Sequence, residues 1–340
     1  MPVSMREVYV DKHSNMVIAA KANTRYEVGS PVYMEDPVEA ADLYGEDSDL
    51  VKAFKTAQSL GVKNIFLMNT LKHSDLLNAQ EMFDQNDFAY VVPIGFRFSD
   101  TFVDITNGSE RTNFYAYLLN NARIRSKTIY VVTDKHASLY EDIDAFIEDM
   151  DYQEKLFLWN CRPDANRRNL IFCANNLKNT EHANLYLAAA LCTTDASKYP
   201  TSNFGPAVFS IDEWDMKKSW AYFKNHELRP TTVENLLNMA DAHTPYKIVT
   251  VNRILNIIDR ELDFTEFLGQ LYTEYKKMLI QQKIERYLSG LKGYIIYWYK
   301  IESVQAYKGV PGTVTVLCRY TICPKNTTES ITVEKEVTVG

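Results

Sequence analysis

The sequence predicts an α/β protein: a mixed, largely parallel sheet flanked by helices, followed by an α+β C-terminal region with extended strands. Three observations carry this. Helical and strand-like segments alternate at short spacing through the first half of the chain. Near residue 245 the style changes to a long amphipathic helix followed only by strands. The chain closes on "ESITVEKEVTVG", where Ile331, Val333, Lys335, Val337 and Val339 take one face and Thr332, Glu334, Glu336 and Thr338 the other. That period of two, rich in β-branched residues, reads as a half-buried strand.

Taken in order, "EVYV" and "NMVIAA" are β-prone, and "GSPVYM" leads into "EDPVEAADLYG". There Asp36 caps a short helix with Pro37 at its first position and Glu39 at the capping-box position. "SDLVKAFKTAQSLG" places Leu50, Phe54 and Ala57 on one helical face and stops at Gly61. "NIFLMN" is a buried strand, "SDLLNAQEMF" a helix and "FAYVVPI" a strand. "SERTNFYAYLLNNARIR" reads as helix, "KTIYVVT" as strand and "SLYEDIDAFIEDM" as helix, followed by strands at "KLFLWNC" and "NLIFCAN". From "NTEHANLYLAAALCTT" to about Glu261 the reading is mostly helical, with a capping box of Thr231 and Glu234 and one further strand at "YKIVTVN". "DFTEFLGQLYTEYKKMLIQQKIERYLSGL" is a long amphipathic helix broken near Gly269, with Leu271, Tyr275, Met278 and Leu279 on a face that Leu288 and Leu291 continue. The tail is all β. Its last strand folds back as a hairpin on "TVTVLCRYTIC" or adds itself to another subunit, because its backbone groups must find partners.

The chain has 340 residues, a length that implies roughly two domains. With 46% hydrophobic and 24% charged residues it can build a sizeable core. Net charge is 37 − 44 = −7, which argues against non-specific nucleic-acid binding. No apolar run reaches the roughly 20 residues of a membrane span, and "MPVSMREVYVDKHSN" lacks the apolar core of a secretory signal. Cys161, Cys173, Cys192, Cys318 and Cys323 are scattered and odd in number, as in a reducing compartment. Asn326 heads an "NTT" sequon, read as a polar turn in the absence of such a signal. The 22 tyrosines suit surfaces that become buried on assembly.

No catalytic constellation emerges. GxxxxGK[ST], GxGxxG and GxSxG are all absent. The histidines His13, His73, His136, His182, His226 and His243 are dispersed, none in HExxH spacing. Asp142 and Asp144 lie two apart in a helical pattern, so they face different directions within an acidic solvated surface that includes Glu141, Glu148 and Asp149. Tyr272 four before Lys276 has the spacing of a dehydrogenase acid pair, but without a dinucleotide loop it reads as helix packing. No metal, cofactor or catalytic centre is expected.

Three stretches together carry a family likeness. They are "GSPVYMEDPVEAADLYGEDSDLVKAFKTAQSLGVKNIFLMN", "CTTDASKYPTSNFG", and the tail from "IESVQAYKGVPGTVTVLCRYTICP" to "ITVEKEVTV". In this order the chain resembles the contractile tail sheath subunit of myovirus-type phages and related injection particles. It departs at the N-terminus, where "MREVYVDKHSNMVIAA" stands in place of a "PGVY"-type arm. The resemblance implies an N-terminal arm over 1–20, a sheath core over 21–244, a tube-facing domain over 245–330 and a C-terminal arm over 331–340. It implies that Val8, Val10, Val17 and Ile18 at one end, and Ile331, Val333, Lys335, Val337 and Val339 at the other, join sheets of neighbouring subunits. Lys276, Lys277 and Lys283, in a segment of net charge 5 − 2 = +3 over 274–292, would meet an acidic inner tube. The implied partners are the chain itself, a tail tube protein, and baseplate and tail-terminator proteins, with no cofactor, nucleic acid or membrane. The implied place is the virion, after assembly in the host cytoplasm. The alternatives are a sheath-like cap or baseplate paralogue, and an α/β enzyme acting on a nucleotide or sugar at loops beyond the strand ends.

Overall fold

The computed structural model describes residues 15–85, 88–104, 110–121, 127–161, 164–200, 204–209, 218–228, 230–241, 244–308, 313–325 and 327–339. The chain divides into two compact units, one running to Asp195 and over Tyr199–Val249, the other holding Ala196–Lys198 and the chain from Thr250 onward.

The first unit contains β1 (Met16–Ala20), β2 (Pro31–Met34), α1 (Pro37–Tyr44), α2 (Asp49–Ser59), β3 (Ile65–Asn69), α3 (His73–Asn78), α4 (Gln80–Gln85) and β4 (Tyr90–Pro93). It continues with β5 (Thr101–Asp104), β6 (Glu110–Asn113), α5 (Phe114–Asn121), β7 (Ile129–Thr133), α6 (Ile143–Asn160), α7 (Asp164–Arg167), β8 (Leu170–Cys173), α8 (Ala183–Thr193), β9 (Tyr222–Lys224) and β10 (Thr232–Glu234). A six-stranded sheet has the order β2-β3-β1-β4-β7-β8. All its neighbours run parallel except β2, which is antiparallel to β3. β1, β4, β7 and β8 are buried along their whole length, so their apolar runs need no polar face.

Local chemistry sets the helix starts. Asp36 and Ser48 accept hydrogen bonds from the amides of Val38 and Val51 at 2.8 and 3.3 Å, capping α1 and α2. Gly45 ends α1 at φ +90°, where a Cβ would sit 2.9 Å from that of Asn23. Buried rings fill the core: Phe98 stacks on Phe172 at 4.0 Å and meets Phe157 at 5.3 Å.

Four local expectations are corrected. "KLFLWNC" is not a strand but the end of α6, whose buried Phe146, Met150 and Phe157 keep the helical period with no breaker between them. "ERTN" forms β6 against β5, and helix begins only at Phe114, after Asn113 Oδ1 accepts from the Ala116 amide at 3.0 Å. Thr232–Glu234 is strand β10, paired with β9, rather than a capped helix start. "YKIVTVN" is a 3-10 turn at Pro245–Lys247 running into helix, where buried Val251, Ile254 and Ile258 recur at helical spacing.

The second unit carries α9 (Val249–Glu261), which begins at the boundary, then α10 (Glu274–Leu291), β11 (Ile296–Lys308), β12 (Val314–Pro324) and β13 (Ile331–Val339). The long helical pattern breaks where expected. A 3-10 turn at Thr265–Phe267 is followed by Gly269 at φ +68°, and α10 restarts with Thr273 Oγ1 accepting from the Lys276 amide at 3.2 Å. The three strands form one antiparallel sheet with β12 in the centre. The protein is therefore a mixed α/β fold with flanking helices and a β-rich C-terminal region of extended strands.

Candidate assembly interface

The C-terminal sheet is built around β12. Val316, Cys318, Tyr320 and Ile322 of its inward face are all buried, and burial pushes the Cys318 thiol up to about 12, leaving it unreactive. β13 pairs with β12 over nine residues, from Val314 opposite Val339 to Ile322 opposite Ile331. Ile331, Val337 and Val339 are buried, Val333 and Lys335 half-buried, and the four intervening residues exposed, as the period of two requires. In the single chain the closing strand is thus paired with β12, and among the described residues its other edge carries no strand.

Outward-facing side chains tie the strands laterally. Arg319 Nε donates to Glu334 Oε1 at 2.8 Å, and the Thr321 and Thr332 hydroxyls lie 3.1 Å apart. Thr321 Oγ1 also donates to Glu302 Oε1 at 3.3 Å. The Lys300 ammonium, 2.7 Å from Glu302, holds that carboxyl below its usual range. On the inward face, Lys335 Nζ donates to Asp259 Oδ1 at 2.5 Å and to the Asp259 carbonyl at 3.2 Å.

At the other end, Val8 and Val10 lie outside the described residues. Val17 and Ile18 are fully buried in β1, which pairs with β3 on one edge and β4 on the other. A strand bonded on both edges in its own chain has no free ladder to lend a neighbour. Of the expected arm over 1–20, Met16–Ala20 form this central strand, and residues 1–14 lie outside the described residues.

α10 buries only part of the face its sequence predicts: Leu288 and Leu291 are inward, but Tyr275 and Met278 are not. Ile280, Ile284, Leu288 and Leu291 are buried, while Leu271, Tyr275 and Met278 are 82%, 63% and 45% exposed. The three candidate lysines all have contacts in the chain. Lys276 Nζ donates to the Leu271 carbonyl at 2.6 Å, and Lys277 lies 3.5 Å from Glu274. Lys283 lies 3.1 Å from Glu266 and over the rings of Phe264 and Phe267. The exposure of Tyr275 and Met278 on α10, and of Leu271 just ahead of it, is what sequence reasoning missed. The signal was present, because Ile280, Ile284, Leu288 and Leu291 form a complete stripe of their own at spacings of four, four and three.

The polar groups that the sequence reading weighed for chemistry, and those near the ends of the parallel strands, make the following contacts. His73 Nε2 lies 2.8 Å from Asp100 Oδ2, and its ring meets Phe96 and Phe114 edge-on. Ser99 donates to Asp134 at 2.8 Å; burial raises the Asp134 carboxyl and leaves its second oxygen without a partner. Asp142 caps α6 by accepting from the Ala145 amide at 2.9 Å. Tyr272 precedes α10 and donates to Glu274 at 2.7 Å, so the helical Tyr–Lys spacing does not apply. Among the described residues no group of three or more His, Cys, Asp or Glu is placed to hold a metal, and no helix is long and apolar enough to cross a membrane.

No protein-family model matches the chain, and no curated protein does. Solved structures do match. The sheath tail protein of Desulfitobacterium hafniense superposes with a TM-score of 0.63 at 11% identity, covering 97% of each chain. The helical sheath of the anti-feeding prophage in its contracted state gives 0.65 at 12% identity, over 94% of this chain and 92% of that one. A chain of the anti-feeding prophage baseplate gives 0.63 at 12% identity, over 97% and 90%. The class defined here is a fold: that of contractile-tail sheath and baseplate proteins, shared over nearly the whole length of both chains.

Proposed function

We propose that this chain is the structural subunit of a contractile tail sheath, polymerising helically around an inner tube and contracting to drive that tube through a target envelope. The observation that carries the reading is the full-length match to sheath folds, with no large insertion on either side. Added to it is a C-terminal sheet that ends in an edge strand, β13. In the polymer, β13 of one copy takes its place on β12 of the next, the same ladder being made between chains that the free chain makes within itself. A head-to-tail contact of this kind does not close, and so builds a helical filament. The exchanged strands act as hinges while the core moves as a rigid body.

The second unit faces the tube. Because Lys276, Lys277 and Lys283 have partners in the chain, the contact falls to the exposed Leu271, just ahead of α10, and Tyr275 and Met278 on it, with the lysines nearby in sequence. The further partners are baseplate and terminator proteins, the site is the virion, and the role is mechanical, with no catalysis or cofactor assigned to it. Negative-stain electron microscopy of the purified chain tests this. Long hollow cylinders are expected; compact monomers or small closed rings at all concentrations would overturn it. The match to a baseplate chain favours a second reading, a baseplate paralogue, which predicts a few copies per particle where a sheath predicts many.

A further inference from the structure

The closing strand has an internal symmetry. Read from Ile331 to Val339 it is I-T-V-E-K-E-V-T-V, a palindrome about Lys335 but for the exchange of Ile331 with Val339. Valine, threonine and glutamate therefore recur at mirror positions, and neither the apolar face nor the threonine face marks a unique register. A slip by two residues keeps every valine inward and every threonine outward. One residue breaks the repetition: Lys335, the only charged group on the inward face.

The structure gives that residue a matching socket. Lys335 stands opposite Cys318 on β12, and its ammonium reaches Asp259 in the last turn of α9. It takes both the carboxylate and the Asp259 backbone carbonyl, one of the helix-end carbonyls that attract cations. Slipping the strand by two would present Val333 or Val337 to Asp259. The ammonium would move opposite Val316 or Tyr320, both buried, where a charge without a partner is costly. On the outer face Arg319 would meet Thr332 in the slip that sets Lys335 opposite Val316, but Glu336 in the other, so only the inward lysine distinguishes both slips from the native register.

We infer that Lys335 and Asp259 are the register key of the closing strand, and that the key is read between copies: Lys335 of one chain seats on Asp259 of the next. The second half rests on the strand exchange proposed above; the first half stands on the contact alone.

Charge exchange separates the two. Lys335→Glu and Asp259→Lys are prepared singly, together in one chain, and as an equimolar mixture of the two single variants. Circular dichroism shows that each chain is folded, and sedimentation with negative staining counts polymer. Each single variant is expected to lose polymer by about tenfold or more, since one charge then faces its like. The double variant is expected to recover. The mixture is expected to recover too, because in an alternating polymer every strand finds a body of opposite charge. Recovery of the double variant without recovery of the mixture would show that the key is read within a chain, overturning exchange but not the key. Single variants that polymerise as well as the native chain, or a double variant that stays as defective as the singles, would overturn the key and leave exchange untouched.

Discussion

Truncating Ile284 to alanine tests which face of α10 carries the second unit. Its side chain is fully buried, on the same stripe as Ile280, Leu288 and Leu291. Removing three carbons forfeits roughly 0.8 kcal/mol each in transfer free energy, and the cavity left behind adds to it. The expected loss is about 3 kcal/mol, a large part of the roughly 5–15 kcal/mol that holds a domain together. Tyr275→Ala, at a side chain on α10 that is 63% exposed, should cost no more than about 0.5 kcal/mol. Urea unfolding followed by far-ultraviolet circular dichroism measures both. A cost at Tyr275 equal to or above that at Ile284 would refute the assignment and restore the face that the sequence first predicts.

Phe98→Ala removes a fully buried ring that contacts Phe172, Phe157 and Tyr115, and should lower stability by about 3–5 kcal/mol in thermal or urea unfolding. Asp134→Asn should stabilise the protein at neutral pH. Burial raises the native carboxyl above its unfolded value of 3.8, so its contribution is fully present below that pH and is lost as pH rises through the higher folded value. Asparagine keeps an acceptor for Ser99, and the advantage should vanish near pH 3 in paired denaturation curves.

Much of this fold is legible in the sequence, for identifiable reasons. β1, β3, β4, β7 and β8 are short apolar runs between helical segments, and α1 and α2 carry their caps in the sequence. Segments failed where a local signal lost to tertiary pairing. The Thr231–Glu234 pattern fits a capping box, yet Val233 is buried in a strand opposite Phe223. At "KLFLWNC" an apolar run looks like a strand because periodicity alone cannot separate it from the buried end of a helix. The closing strand is the instructive case. Its alternation is plain in the sequence, but a hairpin and an exchanged strand share that alternation, so pairing within the chain could be read only from the structure. The partner of Lys335 lies 76 residues away, and no local pattern points to Asp259.

Strand exchange is tested most directly by a cross-link between β12 and β13. Thr315 and Thr338 stand opposite each other in the ladder and on its outer face, and all five native cysteines are buried. A Thr315→Cys/Thr338→Cys chain is assembled into cylinders under reducing conditions, then oxidised and run on a denaturing, non-reducing gel. Exchange between neighbours predicts a ladder of covalent multimers from the cylinders and monomers alone from the unassembled chain. Cylinders that yield only internally linked monomers would contradict the account.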